Sequence, residues 1–121
     1  MRHQSGFTLV ELVMVIVLIG VVAAVGLPKY IDMKGDAQQK ALNSVAGSLG
    51  AASATNQAAR TANGSHGVPI ADCSDVANTL NGGLPDGYDI TPAPIAPGAS
   101  VKCTLTVDTG PQSADFWAQG I

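Results

Sequence analysis

The sequence predicts an α+β fold: one long N-terminal α-helix, membrane-spanning over its first half and kinked near Pro28, with a small antiparallel β-sheet packed on its second half. Three observations predict it. Residues 7–27 (FTLVELVMVIVLIGVVAAVGL) form an apolar run broken only by Thr8 and Glu11. A helical period of apolar residues continues beyond that run. Far downstream, Val101, Cys103, Leu105 and Val107 alternate with Lys102, Thr104 and Thr106, the pattern of a half-buried strand.

The apolar run comes first. Twenty-one residues at 1.5 Å rise cover about 31 Å, close to the ~30 Å hydrocarbon thickness of a bilayer. A secretory signal has a shorter apolar core with a small-residue cleavage site after it. Here Ala23-Ala24 is followed by more apolar residues, so the run reads as a retained span. Charge leaves its orientation open, because Arg2 precedes the helix while Lys29 and Lys34 follow it. Glu11 is the anomaly. A carboxylate at mid-bilayer costs about 2.5–3.5 kcal/mol on insertion scales and usually has a partner, although a position near the interface lessens that cost. One alternative is that Glu11 simply faces headgroups.

Past Pro28 the helix continues. Ile31, Leu42, Val45, Leu49 and Ala52 recur at mixed helical steps, and Ala37, Ala41, Ala46 and Ala59 add propensity. Asp36 and Lys40 form an acid-first i, i+4 pair. Pro28 removes a backbone hydrogen bond and kinks the helix, with Gly20, Gly26 and Gly35 weakening it nearby. The helix is expected to end at Asn63-Gly64, with Gly64 as a left-handed cap. A straight helix from Phe7 to Ala62 would be about 84 Å long. So small a domain cannot bury both halves; the first half must meet lipid or other copies of itself.

Residues 64–121 are dense in turn signals: Gly82-Gly83, Pro85-Asp86-Gly87, Pro97-Gly98 and Gly110-Pro111. Weaker strands are expected at 87–91 and 115–118, and a short helix at 74–80 capped by Ser74. The expected core takes in Leu49, Val76, Leu80, Leu105 and Trp117. The chain has 121 residues and only five Phe, Trp and Tyr together, which leaves room for one small domain.

The start of the apolar run carries a specific motif, Ser5-Gly6-Phe7-Thr8-Leu9-Val10-Glu11. It resembles the class III signal of type IV pilins and of the pseudopilins of type II secretion systems. The resemblance extends to Pro28, which stands where many members carry a helix-kinking Pro, and then through Pro28-Lys29-Tyr30-Ile31-Asp32 into the Ala-rich helix, much as in small mannose-sensitive-haemagglutinin-type pilins. It implies four segments: a cleaved leader at 1–6, a transmembrane and filament-core helix at 7–28, an amphipathic continuation at 29–63 and a β-rich domain at 64–121. It implies that a prepilin peptidase cuts between Gly6 and Phe7 and methylates the Phe7 amine. It implies that Glu11 and Phe7 act in assembly, with the carboxylate neutralising the amine of a neighbouring subunit, and that Gly20, Gly26 and Pro28 let the helix bend or loosen.

The resemblance further implies a single-pass precursor in the bacterial inner membrane, then an extracellular pilus used in adhesion, motility or surface attachment. Its partners would be other copies of the chain, the inner membrane, the prepilin peptidase and an assembly platform with its ATPase. Glu11 favours a shaft subunit; a secretion-system pseudopilin and a ligand-binding minor tip pilin stay open. The downstream domain would face an oxidising compartment, where Cys73 and Cys103 suggest a disulfide. A pair of buried free thiols is the alternative.

Other chemistries find little support. The two Cys lack the spacing and companions of a zinc site, and His3 and His66 do not read as ligands. No catalytic constellation, phosphate loop or dinucleotide fingerprint occurs, so neither an enzyme nor a cofactor is expected. Asp72, Asp75, Asp86, Asp89 and Asp108 read as loop or surface acids; a calcium site among them stays open, but no metal is expected. Asn63-Gly64-Ser65 matches a glycosylation sequon. With six basic residues against nine acidic ones, net −3, nothing supports a nucleic-acid partner.

Overall fold

The structure, a computed structural model, describes residues 6–121; of Ile31 and Asp32 it describes the backbone only. The leader residues 1–5 and the side chain of Ile31, placed above on the helical period, therefore lie outside the described residues. The element order is α1 (Leu9–Ala62), a 3-10 turn (Cys73–Thr79), β1 (Tyr88–Ile90), β2 (Ser100–Val107) and β3 (Ser113–Gln119). The strands form one antiparallel sheet in the order β1-β2-β3. The chain divides into two compact units, 1–36 and 37–121.

In the first unit α1 is apolar on every side from Leu12 to Leu27. Phe7, Leu9, Val10 and the apolar residues through Leu27 are all exposed, with fractional exposures from 45% to 85%. A helix that is hydrophobic all round belongs in a membrane or a protein core. Among the described residues nothing covers it: its most apolar 18-residue stretch is 0% buried. The helix stays continuous through Pro28, which lies inside it.

In the second unit the same helix becomes amphipathic. Leu42, Ala46, Leu49, Ser53 and Asn56 are buried at alternating steps of four and three, one stripe along the helix. Val45 and Ala52, expected on that stripe, lie at its half-buried margin. Two members of the stripe are polar, and each clamps a distant segment. The Ser53 hydroxyl donates to Gln119 Oε1 (2.9 Å) and accepts from the Gln119 amide (3.0 Å). The Asn56 side chain donates to the Val68 carbonyl (2.8 Å) and accepts from the Val68 amide (2.7 Å). Each pair leaves no buried polar group of the clamp unmatched, which would otherwise cost about 1–3 kcal/mol.

α1 ends at Ala62, directly before the expected stop at Asn63-Gly64. The left-handed residue is not Gly64 but Gly67, at φ 75°. Asn63 explains the difference: its side-chain oxygen accepts from the Ser65 amide (3.0 Å) and hydroxyl (2.8 Å), a local turn that ends the helix without a left-handed glycine. At Gly67 a Cβ would stand 2.5 Å from Asn56 Oδ1 and 3.0 Å from Arg60 Cγ, so both its φ and its neighbours require glycine.

The 3-10 turn begins one residue before the expected helix, and its cap is Asp72 rather than Ser74. Asp72 accepts from the Ser74 amide and hydroxyl, while Asp75 accepts from the Asp72 amide (3.0 Å), a reciprocal capping box. In the sheet, Cys103 pairs with Phe116 and Leu105 with Ala114. Cys103, Leu105, Phe116 and Ala118 point inward and join Leu42, Ala46, Leu49, Ile70, Cys73, Val76 and Ile95 in the core. Trp117, expected inside, is 55% exposed. The period of two settles it: Phe116 and Ala118 face the helix, so Trp117 must face out. There the Lys102 ammonium lies 5.6 Å from its ring centroid. Leu80 packs at the edge of the core, only partly buried.

The C-terminus closes the unit. Ile70 and Ile121 exchange backbone hydrogen bonds (2.9 and 3.1 Å), and the Gly120 amide donates to the Ala99 carbonyl (2.9 Å). A Cβ on Gly120 would press into the Ala96 carbonyl oxygen and lie 2.8 Å from Ile95 Cγ2, so this crossing has room only for glycine.

Candidate functional site

The residues singled out by sequence fall in two places. Gly6 and Phe7 form an exposed stretch before α1, with Phe7 85% exposed and nothing within 4 Å of a Cβ built on Gly6. Gly20 and Gly26 lie within α1, and a Cβ on either would meet nothing within 4 Å. Among the described residues no contact demands glycine there; what remains is the lowered helix propensity, about 1 kcal/mol for each relative to Ala.

Glu11 stands in the first turn of α1, exposed and engaged with Thr8. The Thr8 amide donates to Glu11 Oε2 (2.8 Å) and the Thr8 hydroxyl donates to the same oxygen (3.2 Å). In return the Glu11 amide donates to Thr8 Oγ1 (3.2 Å). This is a capping box. Sequence reasoning missed it, although Thr followed three residues later by Glu, at the head of an apolar run, is its signature. Two of the helix's orphan N–H groups are satisfied, and the carboxylate lies where the helix dipole favours negative charge. Among the described residues, Oε1 receives no hydrogen bond.

In the second unit Cys73 and Cys103 form a disulfide, their Cα atoms 5.8 Å apart. Both are buried, at 0% and 1% exposure, and the bond ties the 3-10 turn to β2. Two carboxyls depart from ordinary behaviour. Hydrogen bonds from the Ser74 amide and then its hydroxyl hold Asp72 below the usual carboxylate range. The hydrogen bond to Asp89 and then its like charge hold Asp108 above it. Among the described residues no group of three or more His, Cys, Asp or Glu gathers as a metal site would require. The acids suggested for calcium are not brought together in that way.

Comparison with known proteins matches the same segment. Residues 1–27 match the family model of the prokaryotic N-terminal methylation motif. The chain is 32% identical over 109 residues to the type IV narrow pilus major component of Thermus thermophilus, covering 88% of this chain and 84% of that protein. It is 34% identical over 121 residues to a fimbrial protein of Moraxella nonliquefaciens, covering all of this chain and 66% of that protein. A fimbrial protein of Eikenella corrodens is 40% identical over 74 residues, which cover 61% of this chain and 43% of that protein. The chain thus spans most of the Thermus relative but less of the two fimbrial proteins. No solved structure matches. An apolar helix left unburied among the described residues, the methylation motif at its head and a relative matched along most of its length agree, and the chain belongs to the type IV pilin family.

Proposed function

We propose that this pilin is a shaft subunit of a type IV pilus serving adhesion, motility or surface attachment. A prepilin peptidase removes residues 1–6 by cutting between Gly6 and Phe7 and methylates the Phe7 amine. The precursor waits in the bacterial inner membrane through the helix at 7–28. An assembly platform and its ATPase then extract it into an extracellular filament. The continuation at 29–63 and the domain at 64–121 form the surface of that filament. The observation that carries this reading is the helix of the first unit: apolar on all sides, unburied, and headed by one carboxylate.

Once out of the bilayer, such a helix is tolerable in water only among other copies. Apolar burial is non-directional and leaves neighbours free to slide. A carboxylate that needs a cation fixes the register, because a slip strands two charges at about 3–5 kcal/mol. Glu11 therefore draws each incoming subunit into place through the Phe7 amine of its neighbour. Gly20, Gly26 and Pro28 let the helix loosen during extraction.

Intact-mass measurement of subunits from sheared filaments should give a chain beginning at Phe7 with one added methyl. Retention of residues 1–6 would remove the peptidase step. Glu11→Val should insert into membrane at least as well as wild type yet build few filaments. Filaments of normal number and length from Glu11→Val would end the pairing mechanism.

A further inference from the structure

Glu11 already has a partner before any neighbour arrives, and that partner is in its own chain. Both hydrogen bonds from Thr8, one from the amide and one from the hydroxyl, end on Oε2. The Glu11 side chain is thereby folded back toward residue 8 rather than left to sweep the bilayer surface. Among the described residues, Oε1 receives no hydrogen bond and keeps its lone pairs for an incoming donor.

We infer that Thr8 is the positioning residue for assembly: it holds Oε2 and so presents Oε1 of Glu11 to the amine of the neighbouring copy. The inference rests on the Glu11–Phe7 pairing proposed above and deepens it. A free Glu has three side-chain torsions to fix when a cation arrives, and part of the pairing energy is spent in fixing them. With Oε2 held by two donors that ordering is done beforehand, so the arriving amine meets an oriented acceptor. The same bonds stabilise the carboxylate while the subunit waits in the membrane before a neighbour's amine arrives. The hydroxyl is the part that sequence can change, since the Thr8 amide is backbone. Thr8 also caps the helix through its acceptance of the Glu11 amide, and the two roles separate by chemistry. Serine can both cap and donate to Oε2. Aspartate caps well but cannot donate. Valine, close to threonine in shape, does neither.

The test uses the full-length chain in cells that carry its assembly machinery, with yield read as the assembled fraction of the processed, methylated subunit. Thr8→Ser should restore wild-type yield, while Thr8→Val and Thr8→Asp should each lower it about fivefold, the factor that corresponds to a ~1 kcal/mol loss. If Thr8→Asp assembles as well as wild type, Thr8 is only a helix cap and the inference fails. If Thr8→Val assembles normally while Glu11→Val does not, Thr8 has no positioning role and the pairing reading stands alone. Normal yield from both Thr8→Val and Glu11→Val overturns both.

Discussion

Beside Asp89 of β1, Asp108, one residue past β2, keeps its carboxyl proton above the ordinary carboxylate range, first through hydrogen bonding with Asp89 and then through its like charge. The folded state therefore holds that proton to a higher pH than the unfolded chain does. By linkage, a raised carboxyl binds more protons folded than unfolded, so its contribution to stability falls as pH rises through the window above the ordinary carboxylate value. Asp72 has the opposite sign. Its carboxyl is depressed by Ser74, so its contribution is present above that ordinary value and is lost as pH falls through its own lower one. Asp108→Asn should accordingly raise the thermal midpoint at neutral pH, and the gain should fade on acidification to below the ordinary carboxylate range. Asp72→Asn should lower the midpoint at neutral pH, with the loss fading on acidification. Melting curves recorded at neutral and acid pH check both signs; a gain for Asp108→Asn that persists at acid pH would mean that the carboxyl pair is not its source.

At the scale of elements, β2 and β3 show what the sequence made legible and where it ran out. β2 could be phased from sequence because its apolar residues occupy every second position from Val101 to Val107. β3 could be located but not phased. Phe116 and Trp117 are adjacent, and a period of two puts one inside and the other outside without saying which. Pairing with β2 decides: Phe116 lies opposite Cys103, whose disulfide to Cys73 holds it in the core, and Trp117 lies opposite Lys102. The cap that follows the helix was misread for a similar reason. Asn63 and Gly67 share the work assigned to Gly64, and Asn56, which holds Gly67 close, lies in mid-helix where no local pattern marks it. The capping box at Thr8 and Glu11 was legible in the sequence, but the family motif lies over the same residues and drew the reading to processing instead. The phase of β3 predicts a contrast. Phe116→Ala should destabilise the domain by about 3–5 kcal/mol through the cavity it leaves, whereas Trp117→Ala should cost under about 1 kcal/mol. Urea midpoints would check this, and equal losses at the two positions would overturn the assigned phase.

The two compact units place opposite demands on one helix. Up to Leu27 α1 exposes apolar side chains on all faces, and from residue 37 it offers one apolar stripe to a sheet. The domain is therefore not the turn-rich segment alone. Leu42 and Leu49 are fully buried in its core, and each such side chain contributes about 1.5–3 kcal/mol. Ser53 and Asn56 add the clamps on Gln119 and Val68. Against a total stability of about 5–15 kcal/mol, losing all four leaves little. The disulfide closes a loop over a sequence separation of 30 residues and contributes a further stabilisation of about 3–4 kcal/mol in loop-entropy terms. Residues 37–121, produced in an oxidising compartment, should therefore be a soluble monomer that unfolds in one cooperative transition, with a lower midpoint after reduction. Residues 64–121 should stay unfolded even with the disulfide formed, because the core around Leu105 and Phe116 then lacks Leu42, Ala46 and Leu49. The full-length chain should need detergent or filaments to stay dispersed, since it carries the exposed apolar helix that residues 37–121 lack. Circular dichroism and analytical ultracentrifugation of the three chains separate these outcomes. A folded 64–121 would show that the helix merely carries the domain, and an aggregating 37–121 would show that the first unit supplies part of its core.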